Sequence, residues 1–306
     1  MRRTFINTLI EQAEKNDKIF LISPDIGYSV LEGFKEKFPD RFLNVGIAEQ
    51  NAVSIAAGLA LVGYIPYVYT IMPFMVMRPY EQIRIDIAYM NTNVRIIGVG
   101  AGFSYGSAGA THHSLEDIAL MRVLPGMTVI CPGDPWEVEQ AIKESVSYKG
   151  PMYFRLGKQG EPILSNRNSN FKIGKASEII KGVDLYLLST SNSLEIACQI
   201  SKKLLKNNLS CNVTSFHTIK PFDYEYLSEI LLTGKPIFTI EEHYKAGGFG
   251  SIVSEIISES RFNPKFKMFC IEDRFSHYVG SHDYLRNNFG FNVDEISVKI
   301  IEHLIN

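Results

Sequence analysis

Apolar and polar positions alternate in blocks along this chain, and the blocks predict strands and helices in turn. Residues 18–23 (KIFLIS) form a short β-rich run, followed by a loop holding Asp25 and a helix near 31–37. Further strands are predicted over 41–45, 65–70, 94–99, 128–131 and 152–156. Between them the apolar spacing fits helices over 51–61, 80–90 and 136–146, the last opened by a proline signal. The N-terminal stretch reads as a first helix with Phe5, Leu9 and Ile10 on its apolar side. After Gly157 a polar, turn-rich segment (GKQGEPILSNRNSNFKIGKA) interrupts the alternation. A second set follows, with strands over 184–188, 211–216, 236–240 and 265–271 and helices over 195–205, 250–257 and 293–304. Strands alternating with helices imply mostly parallel sheets flanked by helices. The expected fold class is therefore α/β, with two domains over 1–160 and 173–306 and a linker over 161–172.

At 306 residues the chain is long enough for two such domains. Its net charge of −2 gives no electrostatic case for nucleic acid or an anionic membrane as a partner. Cys131, Cys198, Cys211 and Cys270 form no C-x-x-C pair, so neither a zinc cage nor a disulfide framework is expected. A cytoplasmic location fits that usage, and the basic N-terminus carries no apolar secretory core. The uncharged run 50–77 is long enough to span a membrane, yet Gly63 and Pro66 break it. A buried helix followed by a buried strand is the better reading.

One carboxylate heads that run. In LNVGIAEQNAVSIAAGLALVGYIPYVYTIMPF, Glu49 is followed by no charged residue until Arg78. Acids are common in first helical turns, where the dipole and free N–H groups favour negative charge. The helix behind this one, however, carries Ala52, Val53, Ile55, Ala56, Gly58, Leu59 and Ala60, and is expected to be buried nearly all round. Burial favours the protonated carboxyl and the dipole favours the charged one, so a structural cap and a proton donor both remain open. A second candidate is His112, which ends the glycine-rich loop 100–111 after a strand, where open α/β sheets place ligand sites.

The stretch NVGIAEQNAVSIAAGLALVGYIPYV resembles the pyrimidine-binding domain of the transketolase family, which includes the deoxyxylulose-phosphate synthases. The resemblance implies a thiamine-diphosphate-binding pyrimidine domain followed by a transketolase C-terminal domain. In that family the Glu of this motif meets ring nitrogen N1′ of thiamine diphosphate and shares a proton with it, which marks Glu49 as catalytic and cofactor-binding. YTIMPFMVMRPYEQIR resembles the segment whose aromatics pack on the pyrimidine. Phe74 matches one of them, Ile71 stands where another Phe is frequent, and Arg78 is a further expected cofactor contact. GATHHSLEDIALMRVLPGMTVICPGDPWE resembles the family's Thr-His loop, so His112 is expected to face cofactor and substrate. Asp25, in SPDIGYS, matches a position near the cofactor and Ser29 one near the substrate. Arg155 and Lys158, in FRLGKQGEP, match the region that supplies a phosphate-binding arginine. HTIKPFD and FTIEEHYKAGGFGSIVSEI resemble the C-terminal domain, usually structural, so Glu241, Glu242 and His243 are not expected to be catalytic.

Full-length family members hold the diphosphate through Mg²⁺ on a preceding domain with a Gly-Asp-Gly motif. Here the only Gly-Asp, in PGDPW, runs into proline. The chain thus resembles the second subunit of a split transketolase, with no metal ligands of its own. Mg²⁺ ligands are then expected on a partner subunit carrying the diphosphate-binding domain, in an α₂β₂ assembly. Ala108 and Gly100 stand where the family usually has a sugar-binding Asp and His, which implies a nonstandard sugar or sugar phosphate. The implied reaction is transfer of a two-carbon ketol unit between sugars. The alternatives are a subunit like deoxyxylulose-phosphate synthase or a 2-oxoacid dehydrogenase β subunit, and a noncatalytic scaffold.

Overall fold

The computed structural model describes residues 1–27, 29–166 and 170–305. The first half runs α1 (Arg2–Lys15), β1 (Ile19–Ser23), α2 (Glu32–Lys37), β2 (Phe42–Asn44), α3 (Glu49–Leu61), β3 (Ile65–Ile71) and α4 (Met72–Met77). It continues with α5 (Tyr80–Gln82), a π-helical turn (Ile83–Tyr89), β4 (Arg95–Val99), α6 (Asp117–Arg122), β5 (Thr128–Ile130), α7 (Pro135–Ser145) and β6 (Met152–Leu156). The second half runs β7 (Ser177–Ile180), β8 (Leu185–Ser189), α8 (Leu194–Leu205), β9 (Cys211–Ser215), β10 (Thr218–Lys220) and α9 (Tyr224–Leu232). It ends with β11 (Ile237–Tyr244), α10 (Phe249–Glu259), β12 (Phe266–Ile271), α11 (His282–Asn288) and α12 (Val293–Ile305).

Among the described residues the strands form two sheets, ordered β10-β5-β6-β4-β3-β1-β2 and β12-β11-β8-β9-β7. Pairing is parallel except at β10, which runs against β5, and at β7, which runs against β9. β3 is buried at every position because both faces of its sheet are covered. Its alternate residues serve two packings. Tyr67 and Tyr69 pack on Phe5 in a core that also holds Leu9 of α1 and Val138 and Ile142 of α7, while Val68 belongs to a core with Ala52, Val53 and Ala56 of α3. The second of these cores continues to Phe216 and Phe249, so the two sheets share apolar packing.

Several elements differ from the sequence pattern for local reasons. β10 and α4 are too short to show a period, and β10 carries the second half of the chain onto the edge of the first sheet. α6, α9, α11 and β7 are likewise short and were not anticipated. The helix expected over 80–90 is one turn of α5 followed by the π-helical turn. Residues 167–169, inside the expected linker, lie outside the described residues. Around them the backbone is tied down: the N–H groups of Leu164 and Ser165 both donate to the α7 cap Asp134 (2.7 and 2.6 Å). The helix expected to be buried all round, α3, buries only one side, with Leu61 and Val62 well exposed. No helix among the described residues is long and apolar enough to cross a membrane.

His217 lies between the two sheets, fully buried and stacked on Phe171 with ring centres 4.2 Å apart. Burial pushes its pKa down from 6.5 to about 3, so the native protein keeps the ring neutral. The unfolded chain binds that proton first as pH falls, so native stability is lost as pH drops below 6.5 toward 3. Relative to pH 8, His217 is expected to cost about 2 kcal/mol at pH 5. Urea unfolding of wild type and His217→Phe at the two pH values should show that difference, and equal pH dependence would contradict the assignment.

Candidate functional site

β1 passes the chain to β2 on one side of the first sheet, whereas β3 and β4 lie on the other. The carboxyl ends of β1, β3 and β4 therefore flank a topological switch point, where open α/β sheets form crevices. The expected site residues sit on the segments that leave β2, β3 and β4. Glu49 opens α3, Phe74 lies in α4, Arg78 follows it, and His112 closes the loop after β4.

Glu49 is 5% exposed, and its Oε1 accepts a hydrogen bond from Nη1 of Arg78 at 2.8 Å. Ala48 supplies no side-chain cap, so the acid itself is the negative group at this helix start. The Arg78 guanidinium also lies 4.2 Å from the centre of the Phe74 ring. Phe74 in turn meets the edge of the His112 imidazole, with centres 5.0 Å apart. Four of the expected residues thus form one continuous chain of contacts. No Lys or Arg follows Glu49 in sequence before Arg78, and α4 folds that residue back over the start of α3. Burial first, and the Arg78 charge second, hold the His112 pKa below the ordinary histidine value, so the ring is neutral near pH 7. Its Nδ1 is 3.0 Å from Oγ1 of Thr111.

Asp25 and Ile71 line an adjoining cavity of about 310 Å³ with Arg2, Thr70 and Tyr105. Asp25 adopts φ 66° and Ser29 φ 61°, a left-handed backbone that non-glycine residues rarely hold. Ser29 is exposed and donates its N–H to Glu32 (2.6 Å). Thr70 is fully buried, and its Oγ1 has no hydrogen-bond partner among the described residues. Tyr105 joins the two groups, since its ring is 6.3 Å from His112 and 4.5 Å from Nζ of Lys158. Gly100, at φ 98°, makes room for it: a Cβ there would lie 2.2 Å from the Tyr105 ring. Lys158 also borders a larger cleft of about 880 Å³ between the two halves of the chain. Arg2 and Tyr105 were missed. Arg2 carries no distinguishing motif at the chain start, and Tyr105 gave only an aromatic inside a glycine-rich loop as its signal.

Arg155 departs from its expected substrate-binding role. It is 1% exposed, and all five of its N–H groups are turned inward. Nε meets Asp117 (2.9 Å), Nη1 meets Ser191 and Asn192, and Nη2 meets the carbonyls of Ser114 and Glu242. With no donor left for a ligand, it ties α6 to the second half of the chain. The reason lies in β-strand alternation: Arg155 precedes the strand end and points into the seam, whereas Lys158 lies beyond it.

Residues 1–162 match the family described as Transketolase, pyrimidine binding domain, and residues 174–296 match Transketolase, C-terminal domain. The chain is 38% identical over 261 residues to the B subunit of the apulose-4-phosphate transketolase of Phocaeicola vulgatus, covering 85% of this chain and 84% of that protein. It is 32% identical to the 6-deoxy-6-sulfo-D-fructose transketolase subunit SqwH of Clostridium sp. (strain MSTE9), covering 97% and 92%. A solved structure described as a split gene transketolase, inactive beta4 tetramer, superposes with a TM-score of 0.89 at 32% identity, covering 99% and 97%.

Two measurements on the isolated chain check this geometry. Removing the positive charge in Arg78→Gln should raise the His112 pKa toward its ordinary value in an NMR titration, and an unchanged value would separate the two residues. Arg155→Met should lower stability by about 3–5 kcal/mol in urea unfolding, because Asp117 is left buried and unpaired. A loss below about 1 kcal/mol would contradict the seam assigned to Arg155.

Proposed function

The chain belongs to the transketolase family, and from that premise we propose that it is one subunit of a two-chain transketolase transferring a two-carbon ketol unit between sugars. The observation that carries this reading is the grouping of Glu49, Arg78, Phe74 and His112 beside a cavity at the sheet's switch point. It fits thiamine diphosphate on its chemistry. A nearly buried carboxylate oxygen already accepts from a planar nitrogen group lying over an aromatic face, which suits a flat nitrogen heterocycle. When bound, thiamine diphosphate supplies the nucleophilic carbon and the electron sink for breaking a ketose carbon–carbon bond.

The residues of this chain would hold, orient and protonate. Glu49 would hold a proton at the pyrimidine nitrogen, with its burial keeping water from competing. Phe74 and Ile71 would cover the ring, and Arg78 and Asp25 would contact it. His112, neutral near pH 7, can accept a hydrogen bond from a substrate hydroxyl or donate one to a developing oxyanion. Lys158 and Ser29 are assigned to the substrate's outer end, and Arg2 joins them as the cation lining the smaller cavity.

The diphosphate and Mg²⁺ are assigned to a partner subunit, since the sequence carries no Gly-Asp-Gly motif. The surface near Glu49 supports such a partner. Ile47, Leu61, Val62, Met77, Tyr89 and Met90 are exposed large apolar residues on or beside α3, α4 and the π-helical turn that packs on α3. The second apolar side of α3, unexplained within one chain, then becomes interface. A relative described as an inactive tetramer of beta chains agrees with activity requiring the other subunit, and we propose two copies of each. Ala108 and Gly100, together with relatives named for apulose 4-phosphate and a sulfo-sugar, support a nonstandard sugar. The unpaired thiols of the four cysteines suit a cytoplasmic setting.

Co-expression with the partner subunit, thiamine diphosphate and Mg²⁺ tests the reading with phosphorylated and free sugars as donors. Ketol transfer should appear only with both chains, and Glu49→Gln should reduce kcat by about a thousandfold. Full activity of Glu49→Gln, or of this chain alone, would overturn it. Pyruvate acting as the sole productive donor would favour the synthase alternative.

A further inference from the structure

The loop that carries His112 is closed at its base and held there from the second half of the chain. Gly102 and Ser114 exchange backbone hydrogen bonds at 3.0 Å in each direction, so residues 103–113 form a closed excursion with His112 near its end. One leg of the base meets Glu242. The Phe103 N–H donates to its Oε1 at 2.6 Å, and Gly102 passes so close that a Cβ there would lie 2.3 Å from the same atom. Gly102 also holds φ 61°, so space and backbone both require glycine. The other leg meets the same strand end. Arg155 joins the Ser114 carbonyl to the Glu242 carbonyl, and the Tyr244 N–H donates to the Leu115 carbonyl (2.9 Å).

Glu242 is itself fixed. It is 1% exposed and accepts from His282 (2.7 Å), from Nε of Arg286 (2.8 Å) and from Asn192 (3.1 Å). Asn192 also donates to the Ala101 carbonyl, just before the loop (3.2 Å). Burial opposes it, yet the Arg286 charge and the hydrogen bond from His282 hold this carboxyl well below the usual carboxylate range. The neighbouring Glu241 differs: its oxygens accept from the N–H groups of Phe249 and Gly250 at the start of α10, away from the loop.

We propose that Glu242 is a positioning residue, fixing the loop through Phe103 so that His112 is held against Phe74 at the site. The proposal rests on the reading of that site as a transketolase centre, but its first readout does not. Hydrogen–deuterium exchange on the isolated full-length chain should show residues 103–113 exchanging at least about tenfold faster in Glu242→Gln and in Gly102→Ala than in wild type. Glu241→Gln, equally buried on the same strand, should lower the melting temperature without changing exchange in 103–113. In the two-chain complex, Glu242→Gln and Gly102→Ala should lower kcat by about a hundredfold while coenzyme affinity stays as in wild type.

If Glu242→Gln fails to fold by near-ultraviolet circular dichroism, Gly102→Ala carries the test alone, because it leaves the Glu242, His282 and Arg286 side chains in place. Folded variants with wild-type exchange and wild-type kcat would overturn the proposal, as would equal loop loosening in Glu241→Gln. If Glu49→Gln keeps full activity, the functional reading fails while the exchange result stands. If Glu49→Gln is inactive and the loop is unmoved in the Glu242 and Gly102 variants, only the positioning role fails.

Discussion

The ion pair between Glu49 and Arg78 sets the terms for everything around it. A carboxylate nearly shut off from water is costly unless a charge or hydrogen-bond donor meets it. Here the donor is a half-exposed arginine whose side chain reaches back across Phe74. One partner is fixed in the protein and the other stands at the surface. The carboxylate is therefore built into the fold, while the group that satisfies it is left free to be shared with the ring of the proposed coenzyme. The short helix α4 makes the arrangement possible by placing Phe74 and Arg78 one turn apart, directly after the buried strand β3.

The same constraint explains why this chain looks unfinished. α3 is apolar on more sides than the single chain can bury, and its outer residues continue onto the π-helical turn. Within one polypeptide that composition leaves apolar surface in water. At the proposed subunit boundary it would place Glu49 at the edge of a dry interface, facing a coenzyme held by the other chain. The second half of the chain contributes differently. Among the described residues no hydrogen bond or ring contact joins it to the Glu49 group, yet Glu242 and Tyr244, with Arg155 of β6 bridging to them, grip the base of the loop bearing His112. β10 adds a strand to the first sheet, so the two halves meet in both sheet pairing and side-chain packing.

How much of this was legible in the sequence follows from how each signal arises. Long apolar runs such as β3 and β4 announce themselves because strand burial needs only local composition. Glu49 was visible because a lone acid before an uncharged run is rare and because its motif resembles a known family. Arg78 as its cation was not, since pairing across 29 positions in sequence depends on how α4 turns the chain. Arg155 misled because proximity in sequence to Lys158 says nothing about which way each points, and one lies inside the seam while the other faces a cleft. Tyr105 and the structural weight of Glu242 depend on contacts between distant segments, which a period or a motif does not record.

We propose that this chain holds one half of a coenzyme site that a different chain completes. Calorimetric titration of thiamine diphosphate with Mg²⁺ into this chain, into its partner, and into their mixture tests it most directly. Tight, saturable binding is predicted in the mixture alone. Equally tight binding to this chain by itself would contradict the claim.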